Sequence, residues 1–505
     1  MDASRLDAVL INPASRAQVY QVLGAGLAAI EPPVWAGLMA TYVRRRGHAV
    51  SIIDAEAEEL TPEQVAQRLV ALKPRLVAVV VYGHQPSAST QNMPAAGAIC
   101  TAIKRRLPEQ PVLLVGGHVA ALPERTLEEE DADFACSGEG PVTLLELVEA
   151  LKSSNPDLSK VRGLLYREEG RVQRTPAAPL VNDLDGEMPG LAWDLLPMER
   201  YRAHNWHALD DLKRQPYASL YTTLGCPYHC TFCCINAPFE SGKSVLGYKD
   251  GTNSYRYWSP QAVLAQIDHL VTRYGVRNIK FADELFVLNP SHVRGICEGI
   301  IARGYDLNIW AYARVDTVRD DMIELLKRSG VNWLALGIEA ANPRVRDHVQ
   351  KGFDQEDIAK TIDRVRQAGI YVIGNYIFGL PEDDLATMQE TLDLAVELNC
   401  EFANFYSAQA YPGSALYAQA LREGWSLPAR WSGYSQHAVD TLPLPTKYLS
   451  GAEVLRFRDQ AFHTYFTSPR YLEMVRQTFG EETVEHIRQM TSHTLTRRYA
   501  STAVA

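Results

Sequence analysis

Short apolar runs alternate with helical patterns along most of this chain, and that alternation constrains its fold more than any other feature. Five runs in the first third are rich in Val, Ile and Leu, the composition typical of strands buried on both faces. They span residues 6–12, 48–54, 76–83, 112–117 and 132–136. Helical patterns separate them, such as residues 61–72 with Thr61 as the N-cap. Repeated strand–helix units of this kind predict a doubly wound parallel sheet over residues 1–152.

The same alternation returns six times in the second half of the chain. The predicted strands span residues 217–223, 276–282, 308–315, 331–339, 371–379 and 402–409. The helices between them end at glycines, among them Gly275, Gly304 and Gly330. Six parallel strands whose helices cross over on the outside predict a partial (β/α)6 barrel over residues 215–424. Its active site should lie at the carboxyl ends of the strands.

Two segments outside these repeats follow other patterns. Residues 153–214 contain a predicted hairpin and then a stretch rich in Pro, Gly and Asp, so we interpret them as an ordered connector. Residues 425–505 begin with polar loops and predict a mostly helical C-terminal region. The predicted fold class is therefore α/β throughout the first two units, followed by helices.

Composition excludes several classes of function. Of 505 residues, 46% are hydrophobic and 22% are charged, which is typical of globular proteins. The formal charge of −10 provides no electrostatic footprint for nucleic acid, and no apolar run is long enough to span a bilayer. The sequence shows no secretory signal, and its eight cysteines are too sparse for a disulfide framework. We therefore expect a cytoplasmic protein without nucleic acid or membrane partners.

Three of the cysteines crowd together at the end of the first predicted barrel strand. The sequence there reads Gly225-Cys226-Pro227-Tyr228-His229-Cys230-Thr231-Phe232-Cys233. Three thiolates on one loop can converge on a metal centre. A zinc ion would need a fourth ligand, which Cys234 or His229 would have to supply, whereas three cysteines suit a [4Fe–4S] cluster with one open iron. Structural zinc and a chance grouping of cysteines are the alternatives.

The pattern Cys-x3-Cys-x-aromatic-Cys at this strand end resembles that of the radical S-adenosylmethionine (SAM) superfamily. The resemblance implies that Cys226, Cys230 and Cys233 ligate a [4Fe–4S] cluster, and that the amino and carboxylate groups of SAM bind its open iron. Reductive cleavage of SAM would then release a 5′-deoxyadenosyl radical. Cys234 lies outside the motif, and we interpret it as a small packed thiol.

The same resemblance suggests SAM-binding residues at the later strand ends. These candidates are Phe232, Asp283, Glu284, Arg314, Glu339, Asn375 and Gln409. Arg314 could pair with the SAM carboxylate through both arms of its guanidinium, and Glu339 could accept hydrogen bonds from the ribose hydroxyls. Either Asp283 or Glu284 could bind the SAM amino group. Each charged residue could instead be a solvated loop residue or form a salt bridge that closes the barrel.

A doubly wound sheet ahead of such a barrel resembles the cobalamin-binding radical SAM enzymes (class B methyltransferase-like). The N-terminal sheet is then of the flavodoxin-like, cobalamin-binding type, and small residues at its turns would let the backbone approach the cofactor. The implied contacts are Asn12, Tyr82, Gly83, His84, Gln85, Gly116, Gly117, His118, Ser137, Gly138, Glu139 and Gly140. Modules that ligate cobalt through histidine carry Asp-x-His-x-x-Gly after the first strand, whereas the turn that begins at Asn12 has no histidine. We therefore expect no cobalt ligand from that turn, and we treat His84 as a neighbour of the cobalt only.

A nucleotide-binding or purely structural flavodoxin-like domain is the alternative for this half. Gly24-Ala25-Gly26 is a poor dinucleotide signature, because it lacks the third glycine and does not open a helix directly after a strand.

The resemblance implies an enzyme that methylates an unactivated carbon, or phosphorus, of a small molecule via methylcobalamin and a 5′-deoxyadenosyl radical. A flavodoxin or ferredoxin-type protein would supply the electron. The close alternative keeps the cofactors but performs an oxidative cyclisation or ring rearrangement without methyl transfer. A cobalamin-binding sensor or an Fe–S electron carrier is the alternative from another class. Trp431, Tyr434, Tyr448 and Phe466 could shape a substrate pocket or form ordinary core.

Overall fold

The computed structural model describes residues 5–21, 28–209 and 213–499. Two large sheets, built mainly of parallel strands with helices packed beside them, confirm the predicted α/β class. Gly24-Ala25-Gly26 lies outside the described residues.

The first sheet has seven strands in the order β2-β1-β3-β4-β5-β6-β7. They are β1 Ala8–Asn12, β2 Val50–Asp54, β3 Leu76–Val80, β4 Val112–Val115, β5 Phe134–Cys136, β6 Leu164–Glu168 and β7 Arg171–Arg174. The accompanying helices are α1 Arg16–Tyr20, α2 Val34–Arg44, α3 Pro62–Leu72, α4 Ala88–Arg106, α5 Gly117–Ala121, α6 Pro123–Glu129 and α7 Pro141–Ala150. The first five strands run parallel in the flavodoxin-like order, which confirms the predicted topology.

Local sequence explains why individual strands and helices form where they do. All five residues of β3, Leu-Val-Ala-Val-Val, are buried, as a central parallel strand requires. Helix α3 begins behind a capping box, in which the Gln64 amide donates to the Thr61 hydroxyl and the Thr61 amide donates to the Gln64 side chain.

The predicted hairpin of the connector is part of the first sheet. Strand β6 pairs antiparallel with β5 and then with β7, so the hairpin extends the parallel sheet by two strands. A short helix, α8 Leu184–Glu187, and irregular turns lead from there to the second sheet.

The second sheet has six parallel strands in the order β15-β14-β13-β12-β11-β8. The strands of this half are β8 Tyr217–Leu220, β9 Thr223–Gly225, β10 Tyr255–Tyr257, β11 Asn278–Phe281, β12 Asn308–Arg314, β13 Val331–Glu339, β14 Tyr371–Phe378 and β15 Phe402–Ser407. The helices are α9 Glu240–Lys243, α10 Pro260–Tyr274, α11 Pro290–Arg303, α12 Asp320–Arg328, α13 Pro343–His348, α14 Gln355–Gln367, α15 Leu385–Leu398 and α16 Ala415–Glu423. This order is that of a partial barrel, as predicted.

The first predicted barrel strand is divided in two. Strand β8 ends at Leu220, and β9 pairs antiparallel with β10 in a small separate sheet. The cysteine loop therefore follows β9 and not the first parallel strand directly.

The C-terminal region consists of helices that pack against the last barrel strands. They are α17 Gly451–Phe466, α18 Pro469–Phe479 and α19 Glu481–Ser492. The Tyr465 hydroxyl donates to the Cys400 carbonyl at 2.6 Å, and the Tyr471 hydroxyl donates to the Glu401 carbonyl at 3.1 Å. These bonds fix the helices to the segment that enters β15.

A buried ion pair joins the two halves of the chain. Glu139, which follows β5, lies 2.7 Å from Arg256 of β10, and the two side chains are only 2% and 4% exposed. No helix in the described ranges is both long and apolar enough to cross a membrane.

Candidate active site

One cavity lies at the carboxyl ends of the barrel strands, where an active site is expected. Its volume is about 270 Å³. Cys226, Cys230 and Cys233 line it, and so do His84 and Gln85 from the loop after β3. Both halves of the chain therefore contribute to this space, which we call the cysteine cavity.

The cysteine loop is held by contacts at its first residues. Gly225 ends β9 with φ +86°, and a Cβ atom there would overlap the Ser254 carbonyl oxygen. The Asn236 side chain donates to the Cys226 carbonyl at 3.1 Å and accepts from the Cys226 amide at 3.4 Å. The first cysteine is thus positioned by the protein itself.

The three thiols suit a cluster of several metal atoms. Burial raises the pKa of Cys226 to about 12 and also raises the pKa values of Cys230 and Cys233. The thiols are therefore protonated at neutral pH until a metal centre displaces the protons. In the parts of the chain that the structure describes, no three His, Cys, Asp or Glu side chains form a group ready to hold a metal ion. The thiols instead share a cavity wall, an arrangement that fits a [4Fe–4S] cluster held by three cysteines.

The sequence suggests that Cys234 is a packed thiol outside the site, but the structure places it at the site. It is buried, but it lines the cysteine cavity beside Cys233.

Arg314 ends β12 with its guanidinium in the cysteine cavity. Its Nη1 lies 3.7 Å from Sγ of Cys230, and the guanidinium lies 4.1 Å above the Tyr228 ring. Nε and Nη2 both donate to Asp316 at 2.9 Å. The resemblance suggested that Arg314 could pair with the SAM carboxylate, with a salt bridge as the alternative, and in the structure both of these nitrogens bind Asp316.

Glu339 also lines the cysteine cavity, at the end of β13. Its carboxylate accepts a hydrogen bond from Lys351 at 2.6 Å. Sequence reasoning missed Lys351, because it lies between α13 and α14 in a segment without a recognisable motif.

The structure separates Asp283 from Glu284. The Asp283 carboxylate accepts hydrogen bonds from the Thr222 backbone amide at 3.0 Å and from the Thr222 hydroxyl at 2.8 Å. It thus binds the segment between β8 and β9 and does not line the cysteine cavity. Glu284 lines the cavity. Burial raises the pKa of Glu284 to about 7.

Phe232, Asn375 and Gln409 line the same cavity. Both amide atoms of Asn375 are engaged, since Nδ2 donates to the Leu336 carbonyl at 3.3 Å and Oδ1 accepts from the Asn404 side chain at 2.9 Å. Gln409 is 3% exposed, and neither Nε2 nor Oε1 of its amide has a hydrogen-bond partner. A buried amide without partners is costly, so Gln409 fits a ligand that both donates and accepts.

The candidates of the first sheet form two groups. Those that line open space are Asn12, Tyr82, Gly83, His84, Gln85 and Gly117. They border cavities of about 70 and 30 Å³ as well as the cysteine cavity. The loop of residues 82–85 reaches all three cavities, as contacts to a cofactor between the two halves require.

The other candidates of the first sheet make contacts within the protein. They are Gly116, His118, Ser137, Gly138, Glu139 and Gly140, none of which lines these cavities. His118 Nδ1 lies 3.1 Å from the Thr90 hydroxyl, and Glu139 pairs with Arg256. A Cβ atom at Gly140 would overlap the Met39 side chain. These turns need small or polar residues because protein segments meet there. A sequence pattern does not distinguish this need from contact with a ligand.

A buried ion pair between the halves was also missed. Lys280 of β11 lies 3.0 Å from Glu31, which precedes α2, and also donates to the His84 carbonyl at 3.0 Å. A lysine inside an apolar barrel strand was the available signal for this pair.

Comparison with known proteins identifies a family for each half of the chain. Residues 220–395 match the family model of the radical SAM superfamily, and residues 20–148 match that of the B12 binding domain. The fold and the cysteine cavity thus define a radical SAM enzyme that carries a B12-binding domain. The chain belongs to the cobalamin-binding radical SAM enzymes, and its cofactors are a [4Fe–4S] cluster, SAM and cobalamin.

Similar proteins include both transferases and cyclases. An uncharacterized methyltransferase of Pyrococcus horikoshii is 28% identical over 92% of this chain and 93% of its own length. The anaerobic magnesium-protoporphyrin IX monomethyl ester cyclase of Synechocystis sp. is 28% identical over 66% of this chain and 62% of its own length.

A solved structure shares the fold. The radical SAM methyltransferase TsrM from Kitasatospora setae, with cobalamin and a [4Fe–4S] cluster bound, superposes with a TM-score of 0.67 at 17% identity. The match covers 92% of this chain and 90% of TsrM.

Proposed function

We propose that this enzyme transfers a methyl group to an unactivated carbon, or phosphorus, of a small molecule. The observation that carries this function is the shared cavity, because three cysteines of the barrel and the loop after β3 of the B12-binding domain line the same space. When bound, the cluster and SAM supply a radical and cobalamin supplies a transferable methyl group. The protein binds and orients these groups and the substrate, and it excludes water. The match to a relative called a methyltransferase over 92% of the chain supports transfer over cyclisation.

In this proposal Cys226, Cys230 and Cys233 hold the cluster. The residues proposed to face SAM are Phe232, Glu284, Arg314, Glu339, Asn375 and Gln409, because all six line the cysteine cavity. Gln409 would offer its unpartnered amide to a ligand group that donates and accepts. Arg314 would stay bound to Asp316 and stabilise the thiolate of Cys230, since its Nη1 is already beside that sulfur.

The residues proposed to face cobalamin are Asn12, Tyr82, Gly83, His84, Gln85 and Gly117. They lie at or after the ends of β1, β3 and β4, the edge at which doubly wound sheets bind ligands. A flavodoxin or ferredoxin-type protein would donate the electron. A cytoplasmic location fits eight cysteines that are all free thiols.

Labelled SAM distinguishes methyl transfer from its alternatives. The anaerobically reconstituted protein is incubated with dithionite, a metabolite extract and SAM that carries a deuterated methyl group, and products are analysed by mass spectrometry. We expect both 5′-deoxyadenosine and a product that carries the label, and neither with the Cys226→Ala variant. Formation of 5′-deoxyadenosine together with an unlabelled product that has lost hydrogen would favour cyclisation. Absence of 5′-deoxyadenosine despite a full cluster would favour a binding protein.

A further inference from the structure

A second cavity, of about 200 Å³, lies inside the barrel next to the cysteine cavity. We call it the lumen cavity. Tyr312, Ala335 and Tyr406 line both cavities, so the two spaces adjoin. A molecule in the lumen cavity would therefore lie beside the site proposed for the cluster and SAM.

Aromatic and small apolar side chains form most of the lumen wall. They include Trp206, Trp310, Ile373, Phe402, Phe405 and Tyr406. The rings of Trp206 and Trp310 meet edge to face at 5.0 Å. Such a wall suits a planar or otherwise apolar ligand body.

The charged side chains that line the lumen cavity are cationic. They are Lys280 and Arg458, and no Asp or Glu among the described residues lines it. Lys280 is neutralised by Glu31 at 3.0 Å. The net positive charge of the lumen wall therefore comes from Arg458.

Arg458 shares its counterion with a second arginine. Its Nη1 lies 2.9 Å from Asp459, but Asp459 also binds Arg497 through two hydrogen bonds, of 2.9 and 2.8 Å. The Arg458 and Arg497 side chains are 7% and 5% exposed. Within the described ranges, Asp459 is the only carboxylate that forms an ion pair with either guanidinium. Two buried cations thus share one anion, an excess of positive charge that a bound anion would offset.

His437 adds a group that can form a hydrogen bond with a ligand. It lines the lumen cavity, and its Nδ1 is buried without a hydrogen-bond partner. Tyr20 stacks on its ring at 5.4 Å and so holds the imidazole in place. By contrast, the C-terminal aromatics suggested by the sequence line neither the cysteine cavity nor the lumen cavity; they are Trp431, Tyr434, Tyr448 and Phe466.

Given the function proposed for this enzyme, we propose that the lumen cavity binds its substrate, and that this substrate is an aromatic or similarly apolar molecule with an acidic group held by Arg458. The carbon skeleton packs on the aromatic wall, and the acidic group offsets the excess charge of Arg458, Arg497 and Asp459. Its carboxylate or other oxyanion can also accept a hydrogen bond from His437.

A matched pair of probes tests the acidic group. Binding of 2-naphthoate and of 2-naphthamide to the reconstituted holoenzyme is measured by calorimetry, because the two share a ring system and differ in charge. We expect the wild type to bind 2-naphthoate at least tenfold more tightly than 2-naphthamide. Equal affinities, or no binding of either probe, would overturn the inference, and this comparison needs no variant.

Two substitutions test the position. Arg458→Gln should weaken 2-naphthoate binding about tenfold and leave 2-naphthamide within about twofold, while Arg458→Lys should retain part of the preference. Ile373→Phe, which narrows the lumen cavity, should weaken both probes. If Arg458→Gln weakens the binding of both probes equally, the Arg458 side chain has only a structural role. If Ile373→Phe binds both probes as tightly as the wild type, the probes bind outside the lumen cavity. Either result overturns the inference.

The cleavage of SAM separates this inference from the proposed function. Formation of 5′-deoxyadenosine with dithionite alone is measured on the same preparations. Its absence with the naphthoate preference intact would reject the proposed enzyme but retain the anion site, and the reverse result would reject the anion site alone.

Discussion

Lys351 Nζ lies 2.6 Å from Oε1 of Glu339, and each side chain is only 8% exposed. Both residues line the cysteine cavity. Glu339 has φ +64°, a left-handed conformation that residues with side chains seldom adopt. The ion pair holds this strained strand end against the segment between α13 and α14, at the place proposed for SAM.

Removing one partner of this pair should destabilise the protein more than removing both. Lys351→Met leaves the Glu339 carboxylate buried without a counterion, and such a change costs about 3–5 kcal/mol. Glu339→Gln combined with Lys351→Met should recover most of that loss, because no charge is left buried. The melting temperatures of the two variants and the wild type measure the effect. A double variant as unstable as Lys351→Met would show that the lysine acts through packing and not through charge.

Cluster binding should depend on three cysteines and not on a fourth. Cys226→Ala, Cys230→Ala and Cys233→Ala should each lose most of their iron, visible absorbance and 5′-deoxyadenosine formation after anaerobic reconstitution. Cys234→Ala is the matched control, since Cys234 is buried in the same loop and lines the same cavity. It should keep its iron. Equal loss of iron in all four variants would point to a different ligand set.

The sequence predicts the two sheets because buried parallel strands have a simple pattern. Strands such as β3 and β13 are mainly apolar runs, of five and nine residues, and glycines or caps end the helices of each half. The cysteine triplet is equally local, since its ligands lie within eight residues. Both features can be read without knowing which distant segments meet.

The rest of the site depends on side-chain direction and on distant partners. Asp283 and Glu284 are neighbours in sequence, yet one binds Thr222 and the other lines the cavity, because the turn after β11 directs their side chains to different partners. Lys351 and Arg458 come from segments without a motif, so only the fold brings them to the cavities.

The cysteine loop should tolerate no side chain at Gly225. A Cβ atom there would overlap the Ser254 carbonyl oxygen, and φ is +86°. Gly225→Ala should therefore shift the loop and lower both iron content and melting temperature. Gly247→Ala is a suitable control, because Gly247 has a similar φ of +77° but no atom within 4 Å of the added methyl. The control should lose about 1 kcal/mol from backbone strain and keep its iron. Equal iron in both variants would contradict the steric account.

Asp54 should make the stability of the first sheet depend on pH. It ends β2 with 1% exposure and accepts hydrogen bonds from Asn12 at 2.7 Å and from the Tyr201 hydroxyl at 2.7 Å. Burial nevertheless raises its pKa to about 6. The folded state thus holds this proton more tightly than the unfolded chain, in which an aspartate has a pKa of about 3.9.

The contribution of Asp54 is therefore complete below about pH 4, decreases as the pH rises to about 6, and is constant above that. Each unit of pKa difference corresponds to about 1.4 kcal/mol, so Asp54→Asn, which cannot ionise, should gain up to about 3 kcal/mol relative to the wild type over this range. Melting temperatures of both proteins between about pH 4 and pH 7.5 measure the effect, and their difference removes the titration of all other groups. A difference that does not vary with pH would show that the Asp54 carboxyl is ionised throughout, held by Asn12 and Tyr201 more strongly than burial opposes it.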